Sequence, residues 1–500
     1  MAKLLAAFPI TSPGHADPSY YYSVAENLYN GRGFQIDYIW HFLKKWSSLT
    51  HPSNDWWMPL NSILIFLSFK LFGLSILSSL MPNILLGSIL PILIYFISKE
   101  LVDDNNIALL AAILTLANPV LFINSLTLET IVPYVFFVGI VFILTCKTIT
   151  KQHSKLYIWM LLGFFLAVCH LIRLDAFILI IAINLFFIYS KVKNHNLAYR
   201  YLLFMNLSYL MAMMPWFIRN YYVLGSILPS YLSKGIFLKT YEALYSYDFS
   251  LARKEYFELP LTSIIYLKIV QLMNCFNSLI SKYVMSLFVF IYLGLIVNRN
   301  KIKLIPVALY FLLFVSFFMA TSFGLDTNTL PSLLLFFIPL ASQGLVLTAD
   351  IYEKHLNSKK GRLLWSIVSI LVFYNIILIG FDLKARYRDD RKLYKQYSEL
   401  GLYLKSHYNP DDIVIMTRNP WEFNYFTKVK CVQIPYENLD TLKFLAKKYN
   451  VTHLLLPAPR SFLDQIYEGF YKDKDIVLEY RLLDSNLKLF HVENESNLLK

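Results

Sequence analysis

Long apolar stretches alternate with short polar segments along most of the chain. A helix needs about 17–25 predominantly apolar residues to cross a bilayer, and stretches near this length recur from residue 76 to residue 380. They are 76–98, 107–123, 131–146, 156–172, 176–190, 201–217, 283–297, 304–321, 330–348 and 363–380. The pattern predicts a polytopic α-helical membrane protein with about 10–11 transmembrane helices.

Positive charges are concentrated in alternate loops between these stretches. The clusters of lysine and arginine lie at 147–155, 191–200, 299–303 and 354–362. Positive charge marks the cytoplasmic loops of membrane proteins, so the intervening loops are expected on the outer side, with the chain before residue 76 and after residue 381. These outer loops are 124–130, 173–175, 218–282 and 322–329.

The apolar segment at the start of the chain is short. Only a run of seven apolar residues, Leu4 to Ile10, precedes the polar segment 14–34. This stretch is too short to span a bilayer, and it lacks the parts of a complete signal peptide. It either lies in the membrane interface or is the remainder of a first helix clipped by a late start codon. We expect clipping, because the topology needs one more crossing there.

Composition excludes a soluble globular protein. Hydrophobic residues make up 57% of the chain and charged residues 16%, whereas about a quarter of a soluble chain is charged. The net charge of +13 is explained by the charged loops, so no nucleic-acid partner is predicted. The four cysteines are scattered and form no CxxC pair, and they indicate neither a disulfide framework nor a zinc site.

The last part of the chain has a different pattern. Short apolar runs bounded by turn residues lie at 413–417, 431–435 and 453–457, and a helical pattern capped by Asn438 stands between the last two. Alternating strands and helices predict a small α/β domain on the outer side. No glycine-rich phosphate loop follows these strands, so no nucleotide-binding fingerprint is present.

Two domains follow from these patterns. Residues 1–383 form the predicted transmembrane domain, and residues 384–500 form the C-terminal soluble α/β domain. The transmembrane domain contains a first outer loop, 14–75, and a second outer segment, 218–282, which is polar and tyrosine-rich before its amphipathic end at 261–282. A loop this long is usually functional.

Ionisable residues near the predicted outer face are the candidates for chemistry, because charge at a membrane boundary is costly. A carboxylate can serve as a general base, and arginine can bind phosphate with two parallel hydrogen bonds. The candidates are Asp17, His51, Asp55, Glu129, Arg173 with Asp175, and Arg219.

Each candidate also has a plain structural interpretation. Asp17 before Pro18 matches a helix N-cap, and Glu129 could cap the helix that follows it. Arg173 and Asp175 could pair within a tight turn. Arg219 could anchor the chain at the interface. Tyr21 and Trp57 could stack on a sugar or belong to an aromatic belt, and a lone histidine such as His51 is more often a hydrogen-bonded group than a ligand.

Several motifs, taken in order, resemble a known group of enzymes. They are ADPSYYYSVAENLYNGRGF, WWMPLNSILIFLSFKLFGLS, LTLET, GFFLAVCHLIRLDAF and MMPWFIRNYYVLGSILPS, followed by the α/β tail. The chain resembles integral-membrane glycosyltransferases of the GT-C fold, in the bacterial branch related to protein O-mannosyltransferases and the lipid A aminoarabinose transferase. This resemblance covers essentially the whole chain.

The resemblance implies a function. Such enzymes transfer a sugar from a polyprenyl phosphate to an envelope glycan, glycolipid or protein at the outer face of the bacterial inner membrane. It makes Asp17 the catalytic base and Glu129 a second acid, and it assigns the donor phosphate to Arg173 and Arg219. Relatives often carry an acidic pair where this chain has Asp17 and Pro18, so the resemblance leaves the need for a divalent metal open.

Other function classes are weighed against the transferase. A transporter or flippase of lipid-linked sugars is the main alternative, but transporters tend to show internal repeats and polar groups at the midplane. This sequence shows no convincing repeat, and its ionisable residues gather at one face. A non-catalytic scaffold would explain the tail but not these outer acids and arginines.

Overall fold

A bundle of apolar helices joined to an α/β unit makes up the computed structural model. It describes residues 1–150, 155–193, 197–229, 237–298, 301–320, 327–356, 361–456, 461–470, 473–482 and 485–493. Parts of the charged loops and most of the predicted outer loop 322–329 lie outside these residues.

The helices run along the whole chain. They are Ala2–Ala7 (α1), Asp17–Tyr29 (α2), Leu60–Phe72 (α3), Ile76–Val102 (α4), Asn105–Leu116 (α5), Pro119–Asn124 (α6), Ile131–Thr145 (α7), Leu156–Ile172 (α8), Phe177–Lys193 (α9), Tyr199–Leu224 (α10), Phe249–Phe257 (α11), Leu261–Asn277 (α12), Phe288–Val297 (α13), Lys301–Ala320 (α14), Leu334–Leu356 (α15), Arg362–His407 (α16), Pro420–Thr427 (α17), Leu439–Lys448 (α18) and Asp464–Glu468 (α19).

Seven helical segments of the described chain are long and apolar enough to cross a membrane. They are Ile76–Val102, Ile131–Thr150, Leu174–Lys193, Tyr199–Leu224, Leu261–Lys282, Asn328–His355 and Arg362–His407. Shorter apolar helices, such as α5, α8 and α13, pack among them. The predicted helical membrane architecture is confirmed.

Two segments differ from the sequence pattern. The predicted span 107–123 is broken into α5 and α6, because Pro119 cannot continue a helix and begins a new one behind the Asn118 cap. Residues 261–282 are predicted as an amphipathic end of the second outer segment, but they have the length and composition of a membrane span. The apolar content of this segment fits an amphipathic helix as well as a membrane span, and only the length of the helix distinguishes the two.

Close helix packing in the bundle depends on two glycines. A Cβ at Gly294 of α13 would collide with the Leu340 carbonyl of α15, and one at Gly344 of α15 would collide with the Phe290 carbonyl. Small residues let helix backbones approach closely within a membrane. These reciprocal contacts fix α13 against α15.

The strands are short and lie in two sheets. They are Gln35–Ile36 (β1), Tyr38–Ile39 (β2), His51–Pro52 (β3), Val414–Thr417 (β4), Lys430–Gln433 (β5), His453–Leu456 (β6), Ile476–Arg481 (β7) and Lys488–Val492 (β8). β1 pairs with β3, and the others form a six-stranded sheet in the order β2-β5-β4-β6-β8-β7. The first four strands of this order are parallel, and β8 and β7 are antiparallel to their neighbours.

The predicted strands of the tail are confirmed as β4, β5 and β6. The predicted helix between the last two is α18, and Asn438 caps it by accepting a hydrogen bond from the Thr441 amide at 2.9 Å. A short apolar run between turn residues buries its side chains most readily as a strand inside a sheet. The local pattern was therefore enough to locate these elements.

The first outer loop and the tail form one structural unit. β2 of the loop pairs in parallel with β5 of the tail, with Tyr38 opposite Cys431. Tyr38 and Trp40 share an apolar core with Trp421. The predicted boundary between residues 383 and 384 lies inside α16, which runs unbroken from the bundle into this unit. The tail therefore braces the first outer loop.

Candidate active site

Asp17 is the first residue of α2. The residue before it, Ala16, occupies the N-cap position with φ of 52°, and no side chain caps this end by a hydrogen bond. The Asp17 carboxylate instead accepts a hydrogen bond from Trp57 Nε1 at 3.1 Å. A carboxylate in the first turn is favoured by the helix dipole. Asp17 therefore does not act as the N-cap of α2.

The tail holds the backbone directly before Asp17. The Ala16 amide donates to Glu422 Oε1 at 2.8 Å, and the His15 ring contacts the same carboxylate oxygen. Glu422 lies on α17 and is fully buried. Because a non-glycine residue rarely adopts positive φ, this buried acceptor stabilises an otherwise unfavourable turn.

Three predicted site residues surround the phenol of Tyr21. Tyr21 is buried on α2, and its pKa is raised well above the ordinary value by burial and then by the negative charges of Asp17 and Glu129. The positive charge of Arg173 acts in the opposite direction. Elements far apart in the sequence thus bring two carboxylates and one guanidinium to one place.

Glu129 is positioned by the backbone of its loop. Asn83 of α4 donates to the Glu129 carbonyl at 2.9 Å and to the Thr127 carbonyl at 2.6 Å. The charges of Asp390 and, more weakly, of Glu129 act on Arg386, which lies on α16. The Nε of Arg386 is buried and has no hydrogen-bond partner among the described residues. Arg386 is a candidate cation that the sequence interpretation missed.

Arg173 is already paired. Its Nε donates to Asp175 at 3.0 Å, a second nitrogen reaches the other Asp175 oxygen at 3.3 Å, and a third donates to Thr130 at 3.0 Å. Asp175 also accepts a hydrogen bond from Thr329. The predicted turn pairing of Arg173 and Asp175 is therefore observed, and it fixes the guanidinium beside the loop of Glu129.

Arg219 combines an anchor position with contact to the first outer loop. It donates to the Ser53 carbonyl at 2.6 Å, and its guanidinium lies 4.8 Å from the ring centroid of Trp216. Its charge and that of Asp55 act on the phenol of Tyr20. Arg219 therefore approaches α2 beside the residue that precedes Tyr21.

His51 and Asp55 are enclosed by the loop that carries them. The two ring nitrogens of His51 lie 2.9 and 3.0 Å from the carbonyls of Pro52 and Tyr38. Asp55 is fully buried and accepts from Trp46 at 3.3 Å. Burial is the largest single effect and raises the pKa of Asp55, but His41 3.4 Å away, His51 and Trp46 together outweigh it and hold the pKa at about 2. This geometry favours a structural role for both residues.

An aromatic cluster backs Asp17. The Trp57 ring lies 4.2 Å from that of Tyr20 and stacks on Trp40 at 4.5 Å with an interplanar angle of 28°. Trp40 also contacts Trp421 of the tail at 5.5 Å. Close packing against these rings leaves the Trp57 side chain little room to move. Trp57 therefore presents its N–H to Asp17 from a rigid support.

A groove lies along α16 at residues 380–391. Its volume is about 770 Å³, and its lining is mainly apolar and includes three basic residues. The lining residues are Gly380, Phe381, Leu383, Lys384, Ala385, Tyr387, Arg388 and Arg391. Tyr387 in the same stretch donates to the Ala6 carbonyl of α1 at 2.7 Å.

Metal-ligand geometry is found elsewhere in the described part of the chain. Among the described residues, no group of three possible metal ligands includes Asp17 or Glu129. A group of two histidines and one glutamate lies in the tail. Arg386 and Glu422, which the sequence interpretation missed, lie in segments whose local pattern gives no sign of the fold that brings them to α2.

Part of the chain matches a known protein family by sequence. Residues 50–218 match the family described as dolichyl-phosphate-mannose-protein mannosyltransferase. No curated protein matches the chain by sequence.

Solved structures align over almost the whole chain. ArnT from Cupriavidus metallidurans in the apo state aligns with a TM-score of 0.59 at 10% identity, covering 98% of this chain and 95% of that one. The same protein bound to undecaprenyl phosphate gives a TM-score of 0.60 at 10% identity, with 99% and 96% covered.

A more distant protein shares the fold. The archaeal oligosaccharyltransferase AglB from Archaeoglobus fulgidus, in complex with an inhibitory peptide and a dolichol-phosphate, aligns with a TM-score of 0.52 at 12% identity. The alignment covers 91% of this chain and 68% of that one. The resemblance that the motifs indicated is confirmed: the chain has the GT-C fold of integral-membrane glycosyltransferases, and its segment 50–218 matches the dolichyl-phosphate-mannose-protein mannosyltransferase family.

Proposed function

We propose that this protein transfers a sugar from a polyprenyl-phosphate donor to an acceptor at the outer face of a membrane. One observation carries the proposal: Trp57 holds the Asp17 carboxylate at 3.1 Å, Arg173 is bonded to Thr130 directly after Glu129 at 3.0 Å, and the charges of all three ionisable groups act on the Tyr21 phenol. The match to mannosyltransferases and the fold shared with ArnT bound to undecaprenyl phosphate support this substrate class.

In the proposed reaction, Asp17 is the general base. An acceptor hydroxyl attacks the anomeric carbon and gives its proton to the Asp17 carboxylate. A carbon–oxygen bond forms to the acceptor as the bond to the phosphate oxygen breaks, and polyprenyl phosphate leaves. This single displacement inverts the anomeric centre. Glu129 is the second acid of the site.

Arginines stabilise the charge of the departing phosphate. The charges of Arg173 and Arg219 act on the adjacent tyrosines of α2, and the charges of Asp390 and Glu129 act on Arg386. A fixed cation at a developing negative charge lowers the barrier without reorganising solvent. We assign donor binding first to Arg219 and then to Arg386, whose Nε has no hydrogen-bond partner among the described residues, because Asp175 already pairs with Arg173.

The lipid part of the donor needs an apolar path. The groove along α16 has a mainly apolar lining that also includes Lys384, Arg388 and Arg391. This combination suits an isoprenoid tail that ends in a phosphate. Tyr21 and Trp57 are both close to Asp17, so a sugar at this place would also meet aromatic rings.

The proposed location is the bacterial inner membrane, with the site and the tail on the periplasmic or extracellular side. The positive charge of the alternate loops supports this orientation. The donor sugar is a hexose or a pentose, and the acceptor is an envelope glycan, a glycolipid or a protein.

A transfer assay tests the proposal. The full-length protein is reconstituted in lipid and incubated with radiolabelled polyprenyl-phosphate sugars and an envelope acceptor fraction. We expect label in the acceptor with the wild type and a loss of about 10²- to 10⁴-fold with Asp17→Asn, the usual contribution of a general base. The matched control is Asp103→Asn, because Asp103 is 85% exposed at a turn where asparagine tolerates the positive φ.

The outcomes are distinct. Equal transfer by the wild type and Asp17→Asn would remove the base from Asp17. Retention of the anomeric configuration in the product would overturn single displacement. Donor movement across the membrane with no transfer to any acceptor would favour a flippase over a transferase.

A further inference from the structure

Three metal-ligating side chains converge in the tail, away from the candidate active site. His453 is the first residue of β6, Glu479 lies on β7, and His491 lies on β8. His453 stands directly opposite His491 in the antiparallel pair of β6 and β8. Directly opposite residues on neighbouring strands point to the same face of a sheet, so both rings are on one side.

A β-bulge brings the carboxylate to these rings. β7 and β8 pair at Leu478–Phe490 and at Tyr480–Leu489, which leaves Glu479 as the extra residue between two registered pairs. Bulges often redirect one side chain. Here the redirected side chain is the only acid of the group.

The distances between the ligand atoms suit a small cation. His453 Nε2 lies 3.1 Å from Glu479 Oε2, and His491 Nδ1 lies 4.0 Å from the same oxygen. The three ligand atoms all lie within 4.8 Å of one another. Tetrahedral zinc, with ligand bonds of about 2.0–2.2 Å, separates its ligand atoms by roughly 3.4 Å. A small side-chain rotation of His491 would close the set.

The remaining atoms of two of these side chains are held by other residues. His453 Nδ1 lies 2.8 Å from Thr452 Oγ1. Glu479 Oε1 accepts hydrogen bonds from the hydroxyl groups of Tyr403 and Tyr408, each at 2.8 Å. Such outer contacts fix the orientation of metal ligands in established sites. They leave Nε2 of His453 and Oε2 of Glu479 facing each other.

These two facing atoms lack a well-formed hydrogen bond. Both are buried, and they lie 3.1 Å apart, which is an ion-pair distance, but neither makes a hydrogen bond of good geometry with a described residue. His453 is 1% exposed and Glu479 is 18% exposed. Buried polar atoms are costly when their hydrogen bonds are poorly formed, and a cation bound by both atoms would satisfy them.

We propose that His453, Glu479 and His491 bind one Zn²⁺ ion. Two imidazoles and one carboxylate form a ligand set that zinc accepts, with a fourth position left to water. Because His491 is 43% exposed, this position opens to solvent. The ion would join β6 to the β7–β8 hairpin and, through the two tyrosines, to the end of α16. This inference does not depend on the transferase activity.

Zinc binding by the full-length protein in lipid nanodiscs tests this inference. After chelator treatment and dialysis, Zn²⁺ is titrated against a competing indicator. We expect one ion per chain, an affinity at least 100-fold lower for His491→Ala, and no change for His355→Ala, which removes an exposed histidine at the end of α15. Bound zinc should also raise the Tm of the wild type but not that of His491→Ala.

A second variant keeps the test independent of folding defects. Tyr403→Phe with Tyr408→Phe leaves all three ligands in place but removes both hydrogen bonds to Glu479, so we expect an affinity loss of about tenfold. Co²⁺ in place of Zn²⁺ should give the visible absorption of a tetrahedral site. Sub-stoichiometric zinc in the wild type, or equal affinity in the wild type and His491→Ala, would overturn the proposal.

Discussion

Trp57 donates its indole N–H to the Asp17 carboxylate at 3.1 Å. The bond joins two parts of the first outer loop at the proposed general base. One oxygen of Asp17 is thereby oriented, and the Trp57 ring is itself held between Tyr20 and Trp40. Trp57 is therefore a positioning residue for Asp17.

Replacing Trp57 by phenylalanine should lower kcat about 10- to 100-fold and leave the donor KM nearly unchanged. The change keeps an aromatic ring on Trp40 but removes a hydrogen bond to a charged group, which is worth about 1.5–3 kcal/mol. Steady-state kinetics of sugar transfer measure the effect. Trp421→Phe is the matched control, because its Nε1 has no partner among the described residues. Similar losses in both variants would show that ring packing alone matters.

Glu422 should control activity from the tail. Glu422→Leu removes the acceptor of the Ala16 amide, and a shift of the Asp17 backbone by about 1 Å can cost about 100-fold in rate. Glu422→Gln retains an acceptor oxygen and should keep most of the activity. Transfer rates are compared at equal amounts of folded protein, measured by size-exclusion chromatography. Loss of activity in Glu422→Gln equal to that in Glu422→Leu would contradict the positioning role.

The donor phosphate should depend on Arg219 and Arg386. Glutamine at either position removes a charged donor, and we expect the KM for the polyprenyl-phosphate sugar to rise about 10- to 100-fold, since such a bond is worth about 1.5–3 kcal/mol. Arg253→Gln, on the exposed side of α11, controls for the loss of one positive charge. An unchanged donor KM in both variants would move phosphate binding back to Arg173.

Asp55 should make the first outer loop sensitive to acid. Its pKa is about 2, below the ordinary value of 3.8, so its ionised form stabilises the folded state above pH 3.8. This contribution, about 2 kcal/mol, is lost as the pH falls from 3.8 through 2. Thermal unfolding between pH 5 and pH 2 should show a steeper loss of Tm for the wild type than for Asp55→Asn. Parallel curves would argue against this role.

Local patterns located most of the membrane helices and four elements of the tail. The strands at 414–417 and 453–456 and the Asn438 cap follow from apolar runs and turn residues. Local patterns failed where neighbours decide the outcome. Two-residue β2 has too little length to be recognised, and it forms because β5 offers a parallel partner.

The sequence by itself determined that this protein is a helical membrane protein with an α/β tail, and it made Asp17, Glu129 and the arginines of the loops candidates for the site. Span length, charge asymmetry and short motifs are properties of neighbouring residues, so they can be read along the chain. Only the tertiary structure decided that Glu422 supports the turn before Asp17 and that Arg386 lies within reach of the Glu129 charge. Both depend on how α16 and the sheet carry the tail back to the first outer loop, and contacts between such distant residues leave no local periodicity.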